Sequence, residues 1–138
     1  MYLDPQTHTF VEESGGANFL FVDKDGVLVV PQSATDSILP SITRRSLVTV
    51  ATDMLGMTVV ERPVKFEEVA SGAFVECGMC GTAAVISPVG KVVNGETEVV
   101  FGEGGMEHVG PVMAKLRETL TGIQSGEIDG PEGWVVKL

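Results

Sequence analysis

The tract Phe19-Leu20-Phe21-Val22, closed by Asp23-Lys24-Asp25-Gly26 and followed by Val27 to Val30, constrains the fold of this chain most. Four successive apolar residues bounded by turn chemistry read as a largely buried strand. The Asp- and Gly-rich turn leads into a second strand that Pro31 ends, so the pair reads as a β-hairpin. With 138 residues the chain is one domain long. A domain of that length buries about two thirds of its unfolded surface, enough core to hold such a hairpin without disulfide staples.

The rest of the chain supplies short strands and two helices. Tyr2-Leu3-Asp4 reads like the middle of a strand, and Ser14-Gly15-Gly16 as a turn or bulge. Residues 31–41 are rich in Ser, Thr, Asp and Pro and read as a loop. Ser41, after Pro40, suits a helix N-cap, and Leu47, Val50, Ala51 and Met54 then fall on one helical face. Gly56 suits the position just past that helix. Thr58 to Glu61 reads as a short strand, and Phe66 to Ala70 as one or two helical turns. Ala83 to Ile86 and Val99 to Phe101 read as strands, the second after an Asn94-Gly95 turn. Gly102 to Gly110 is a glycine-rich loop, and Pro111 opens a helix whose apolar face is Val112, Leu116, Leu120 and Ile123. Trp134-Val135-Val136 reads as a docking segment. Several short strands with two helices make an α/β or α+β fold. They do not alternate regularly enough for a doubly wound parallel sheet.

Charge narrows the function classes. Nine Lys and Arg face 19 Asp and Glu, a net charge of −10. Nucleic-acid and anionic-membrane surfaces need clustered positive charge, so neither is expected as a partner. The start has no basic segment followed by an apolar one, and no apolar run approaches the roughly 20 residues of a membrane helix. The expectation is a cytoplasmic protein.

Four features are able to carry chemistry. Cys77-Gly78-Met79-Cys80 has the spacing of a redox pair or half a zinc site. The only imidazoles are His8 and His108, without metal-like spacing. Buried packing residues are the better reading of the two cysteines, and no metal is expected. Gly81-Thr82-Ala83-Ala84 combines close backbone approach with a hydroxyl, and reads equally as a ligand contact or as a tight turn. Leu39-Pro40-Ser41-Ile42-Thr43-Arg44 feeds a helix N-terminus, where free N–H groups suit a phosphate, though every helix has such an end. Glu13 is a carboxylate beside a bend, and most such residues are solvated.

Taken together, these segments resemble the branched-chain amino acid aminotransferases, pyridoxal-phosphate enzymes of the fold-type IV class. The matching stretches are EESGGANFLFV at 12–22, ILPSITRRSL at 38–47, CGTAAVISPVG at 80–90, GP at 110–111 and LTGIQSGEIDGPEGW at 120–134. D-amino acid aminotransferases and aminodeoxychorismate lyases share the fold, and the GTAAVISPV wording resembles the branched-chain group. The resemblance implies a mixed, curled sheet flanked by helices and pyridoxal 5′-phosphate as cofactor. It implies amino transfer between Leu, Ile or Val and 2-oxoglutarate in a homodimeric full enzyme. By its pattern of Glu, four intervening residues and Asn, Glu13 falls on the cofactor-ring carboxylate with Asn18 as its anchor. Glu12 lacks that spacing, and its loss is expected to be mild. The backbone of Ile42 and Thr43, and Thr82, fall on the phosphate. The backbone of Thr82 and Ala83 falls on the substrate carboxylate, and Gly81 on the same wall.

The family's Schiff-base lysine lies in a K-x-G-G-N-Y-like segment upstream of the Glu13 region. The five lysines here are Lys24, Lys65, Lys91, Lys115 and Lys137, and none has that setting. The resemblance therefore implies that residues 1–138 are the C-terminal cofactor-binding portion, without the catalytic lysine and the N-terminal domain, and inactive alone. The rival reading is a non-catalytic binding or interaction domain that kept the fold.

Overall fold

The computed structural model describes residues 1–33, 35–103 and 109–136. Strand β2 (Ala17–Asp23) is its axis. Alternation sends Leu20 and Val22 to one face, Phe19 and Phe21 to the other, and each face carries its own core. On one edge β2 pairs antiparallel with β3 (Leu28–Pro31), completing the hairpin read from the sequence, and at its other end with β1 (Glu13–Ser14). On the opposite edge it pairs with β5 (Phe74–Gly81), which pairs in turn with β6 (Val85–Pro88). Strand β4 (Val59–Arg62) runs parallel to β3, so the sheet order is β4-β3-β2-β5-β6 with β1 beside β2. The sheet is mixed and curled, the α/β architecture expected.

Helix α1 (Ile42–Thr49) begins at Ser41, whose side chain caps it, and continues as a π-helical turn over Val50–Met54. Gly56 follows at φ +63°, where a side chain would be strained. Leu47, Val50 and Ala51 meet Leu20, Val22 and Cys80 on the first face of the sheet. Helix α3 (Pro111–Ser125) covers the same face with Met113, Leu116, Leu120 and Ile123. The second face lies under helix α2 (Phe66–Ala70), the segment around Val11, and the hairpin of β7 (Lys91–Asn94) and β8 (Thr97–Val100). A bulge at Val75 returns Phe74 to this face, where its ring stacks on Phe21 at 4.7 Å.

Three expectations change. The strand expected at Ala83 to Ile86 begins only at Val85, because Thr82-Ala83-Ala84 is the loop between β5 and β6. Strand β5, with both cysteines, had no expected counterpart. Trp134, Val135 and Val136 are exposed rather than docked. The tail is tied down instead by Ile128, which packs on the α1–α3 core and donates its N–H to Gly122 O at 3.0 Å. Most of the Gly102–Gly110 loop, with His108, lies outside the described residues.

Candidate functional site

The Glu13 region is built by a hairpin whose loop is only Gly15-Gly16. Glu13 in β1 stands opposite Asn18 in β2, and Asn18 stands opposite Cys80 in β5, so three strands form one row. Asn18 Nδ2 donates to Glu13 Oε2 at 3.4 Å and to Leu39 O at 3.5 Å. Leu39 N–H donates to the same Glu13 oxygen at 3.3 Å. Glu13 is therefore held between its own hairpin and the loop that enters α1. Its other oxygen, Oε1, accepts no hydrogen bond from the described residues.

Three residues past Leu39 the helix begins. Ser41 Oγ accepts from the N–H of Arg44 at 3.1 Å, and Ser41 O from the N–H of Arg45 at 3.1 Å. The N–H groups of Ile42 and Thr43 have no acceptor among the described residues. They carry the positive end of the helix dipole. Ile42 is 74% exposed.

Gly81 ends β5 next to the row of Glu13, Asn18 and Cys80. A Cβ placed on it would stand 3.4 Å from Gly16 O, which sets the Thr82-Ala83-Ala84 loop beside the Gly15-Gly16 bend. All three loop residues are exposed. The loop closes on Val85, a buried β-branched residue at φ +61°. Such a conformation costs about 1–3 kcal/mol and persists only where packing fixes it. Glu13, Gly81 and Thr82 thus gather at one end of the sheet, with the α1 entry loop tied to Glu13. The groups available are one carboxylate oxygen, two helix-terminal N–H groups and an exposed threonine loop. That donor set suits a cationic ring nitrogen at one end and a phosphate at the other.

Glu12 departs from the expectation of a minor residue. It is 5% exposed and points away from Glu13. Its Oε1 accepts from Ser33 Oγ at 3.3 Å and Thr35 Oγ1 at 3.1 Å, and its Oε2 from Ser37 Oγ. Removing a buried carboxylate with three hydroxyl donors would leave those donors without their acceptor. The Ser- and Thr-rich composition of residues 33–37 was the available signal.

The cysteines lie three residues apart on one strand and so on opposite faces. Cys77 packs among Phe19, Phe21 and Phe74, and Cys80 among Leu20, Val22 and Leu47. They do not converge on one metal or on each other. Burial pushes both thiols up, Cys80 to about 11 against the opposing pull of the Arg44 charge. Both are packing residues.

The family model described as amino-transferase class IV matches residues 2–92. A branched-chain-amino-acid aminotransferase of Haemophilus influenzae is 49% identical over all of this chain, which covers 38% of that protein. The solved branched-chain amino acid aminotransferase of Escherichia coli superposes with a TM-score of 0.77 at 33% identity, over 95% of this chain and 40% of that one. The enzyme of Thermobaculum terrenum, solved in its PLP-bound holo-form, gives 0.71 at 31% identity, over 91% and 37%. The chain belongs to the class IV aminotransferases. It spans about two fifths of the length of these relatives.

Proposed function

We propose that residues 1–138 are the C-terminal cofactor-binding portion of a branched-chain amino acid aminotransferase. The full enzyme exchanges an amino group between Leu, Ile or Val and 2-oxoglutarate, as a cytoplasmic homodimer. The observation that carries this reading is the Glu13–Asn18–Leu39 arrangement. It ties the Glu13 carboxylate to the loop that enters α1, three residues before the Ile42 N–H, which with that of Thr43 has no acceptor among the described residues.

Pyridoxal 5′-phosphate fits the donors present. When bound it supplies an electron sink for negative charge at the substrate α-carbon. Glu13 holds a proton at the ring nitrogen, and Asn18 and Leu39 N–H orient Glu13 for it. Ile42 N–H, Thr43 N–H and Thr82 bind the phosphate, and Gly81 lines the wall. The N–H groups of Thr82 and Ala83 receive the substrate carboxylate. The lysine that moves the proton at the α-carbon is not among these residues. Lys24 sits at the far end of β2, roughly 20 Å from Glu13 at the usual strand rise. Lys91 pairs with Glu98 at 3.0 Å and Lys115 with Glu118 at 3.3 Å. The rival reading, a non-catalytic domain, has no observation in its favour that this one lacks.

The test is complementation. The chain is mixed with a second chain that carries the segments of the Haemophilus influenzae relative not matched here, and glutamate formation is assayed. Activity that neither chain has alone is expected, with Glu13→Ala lowering it by about 3–5 kcal/mol of transition-state stabilisation, the cost of leaving one partner of a buried ion pair. Glu13→Ala activity equal to wild type refutes the placement of the ring carboxylate.

A further inference from the structure

Residues 33–41 have few apolar anchors, yet they deliver Leu39 to Glu13 and Ser41 to the start of α1. Among the described residues of this stretch, Ile38 is the one buried apolar side chain. What links Ser33, Thr35 and Ser37 is a hydroxyl network: Ser33 Oγ accepts from the N–H groups of Thr35 at 3.1 Å and Ser37 at 2.8 Å, and Thr35 Oγ1 meets Ser37 Oγ at 2.7 Å. Every one of these hydroxyls ends on the Glu12 carboxylate. Glu12 and Glu13, adjacent on one short extended segment, point to opposite sides. One grips the loop through its hydroxyls, and the other takes the Leu39 N–H a few residues later.

We propose that Glu12 is a positioning residue: by holding Ser33, Thr35 and Ser37 it fixes the approach to α1, and through it the Ile42 and Thr43 N–H groups, relative to Glu13. The inference rests on the reading that those two N–H groups bind phosphate. Glu12 touches neither cofactor nor substrate. It sets where the anion site stands relative to the ring carboxylate, two positions that must agree for one ligand to engage both. A glutamine keeps one acceptor for Ser33 and Thr35 and offers Nε2 to Ser37 Oγ, so it preserves the clamp without the charge. An alanine removes it.

The experiment uses the isotopically labelled 138-residue chain as wild type, Glu12→Gln, Glu12→Ala and, as a control for general stability, Glu68→Ala. Glu68 pairs with Arg62 away from the site. Amide exchange is read at Ser37 and Leu39 against strand β5, and inorganic phosphate is titrated while following the Ile42 and Thr43 amides. Glu12→Ala is expected to speed exchange at Ser37 and Leu39 selectively and to weaken phosphate binding about tenfold, the order seen when a supporting residue of a binding shell is lost. Glu12→Gln should restore most of both, and Glu68→Ala should change neither selectively. A uniform speeding of exchange in Glu12→Ala, or unchanged phosphate affinity, overturns the proposal while leaving the phosphate site intact. If phosphate fails to shift Ile42 and Thr43 in the wild type, the phosphate-site reading fails and the proposal falls with it.

Discussion

Glu76 Oε2 accepts a hydrogen bond from the backbone N–H of Met113 at 2.9 Å, so a side chain of strand β5 caps helix α3 across 37 positions of sequence. Its Oε1 takes the N–H of Val112 at 3.1 Å. Gly110, the N-cap position, leaves room for this: a Cβ there would stand 2.0 Å from the Glu76 carboxyl carbon. Glu76→Ala should lower stability by about 2–3 kcal/mol, by baring two helix-terminal donors. Gly110→Ala should cost a similar amount by expelling the same carboxylate. Because both act on one contact, the double variant should fall well short of the sum. Urea unfolding of the three variants checks this, and full additivity would contradict it.

Asp4 organises the N-terminal turn. The N–H of Phe10 at 2.9 Å, the N–H and hydroxyl of Thr7 and the N–H of Thr9 bond to its carboxylate. The Phe10 bond foremost holds its carboxyl far below the usual carboxylate range. A depressed folded pKa contributes stability that is complete above the unfolded value of about 3.9 and is lost as pH falls toward the folded one. Asp4→Asn should therefore be less stable than wild type at pH 6, and the gap should narrow below about pH 4. Parallel unfolding curves at about pH 6 and pH 2.5 measure it.

The two cysteines should be silent in the native state. With both thiols pushed up by burial, alkylation at about pH 8 should be far slower in folded than in unfolded protein. Above about pH 8.5 the unfolded chain loses these protons first, so stability should decline as pH rises. The double Ser variant should fold in reducing buffer with a loss of about 1–3 kcal/mol per buried hydroxyl, and without bound zinc. Fast native alkylation, or stoichiometric zinc removable with loss of structure, would contradict the packing role.

What the sequence disclosed was local. The β2–β3 hairpin shows in its apolar run and turn, and α3 in Pro111 followed by apolar residues at helical spacing. The Ser41 cap lies three residues from its donor, Arg44. Strand β5 escaped because Gly78, Gly81 and two cysteines blur its alternation, and the bulge at Val75 shifts it by one residue. The burial of Glu12 depends on partners 21 to 25 positions away, and the Glu76 cap on partners still farther. Neither leaves a periodic trace. Trp134-Val135-Val136 misled because apolar composition alone does not say what a segment packs on. In the site, motif resemblance marked Glu13, Ile42, Thr43, Gly81 and Thr82. Glu12 and the strained Val85 lie inside the matching stretches 12–22 and 80–90, but no spacing or periodicity in them signals burial or strain.

On the proposed function, this chain holds the ring carboxylate and phosphate donors of an aminotransferase site but not its lysine. The direct measurement is borohydride reduction of the 138-residue chain with pyridoxal phosphate, followed by mass analysis of each lysine, beside an assay of glutamate formation from a branched-chain amino acid and 2-oxoglutarate. Sparse labelling spread over exposed lysines and turnover no faster than free cofactor are expected. One lysine labelled stoichiometrically, or turnover well above free cofactor, would contradict this reading.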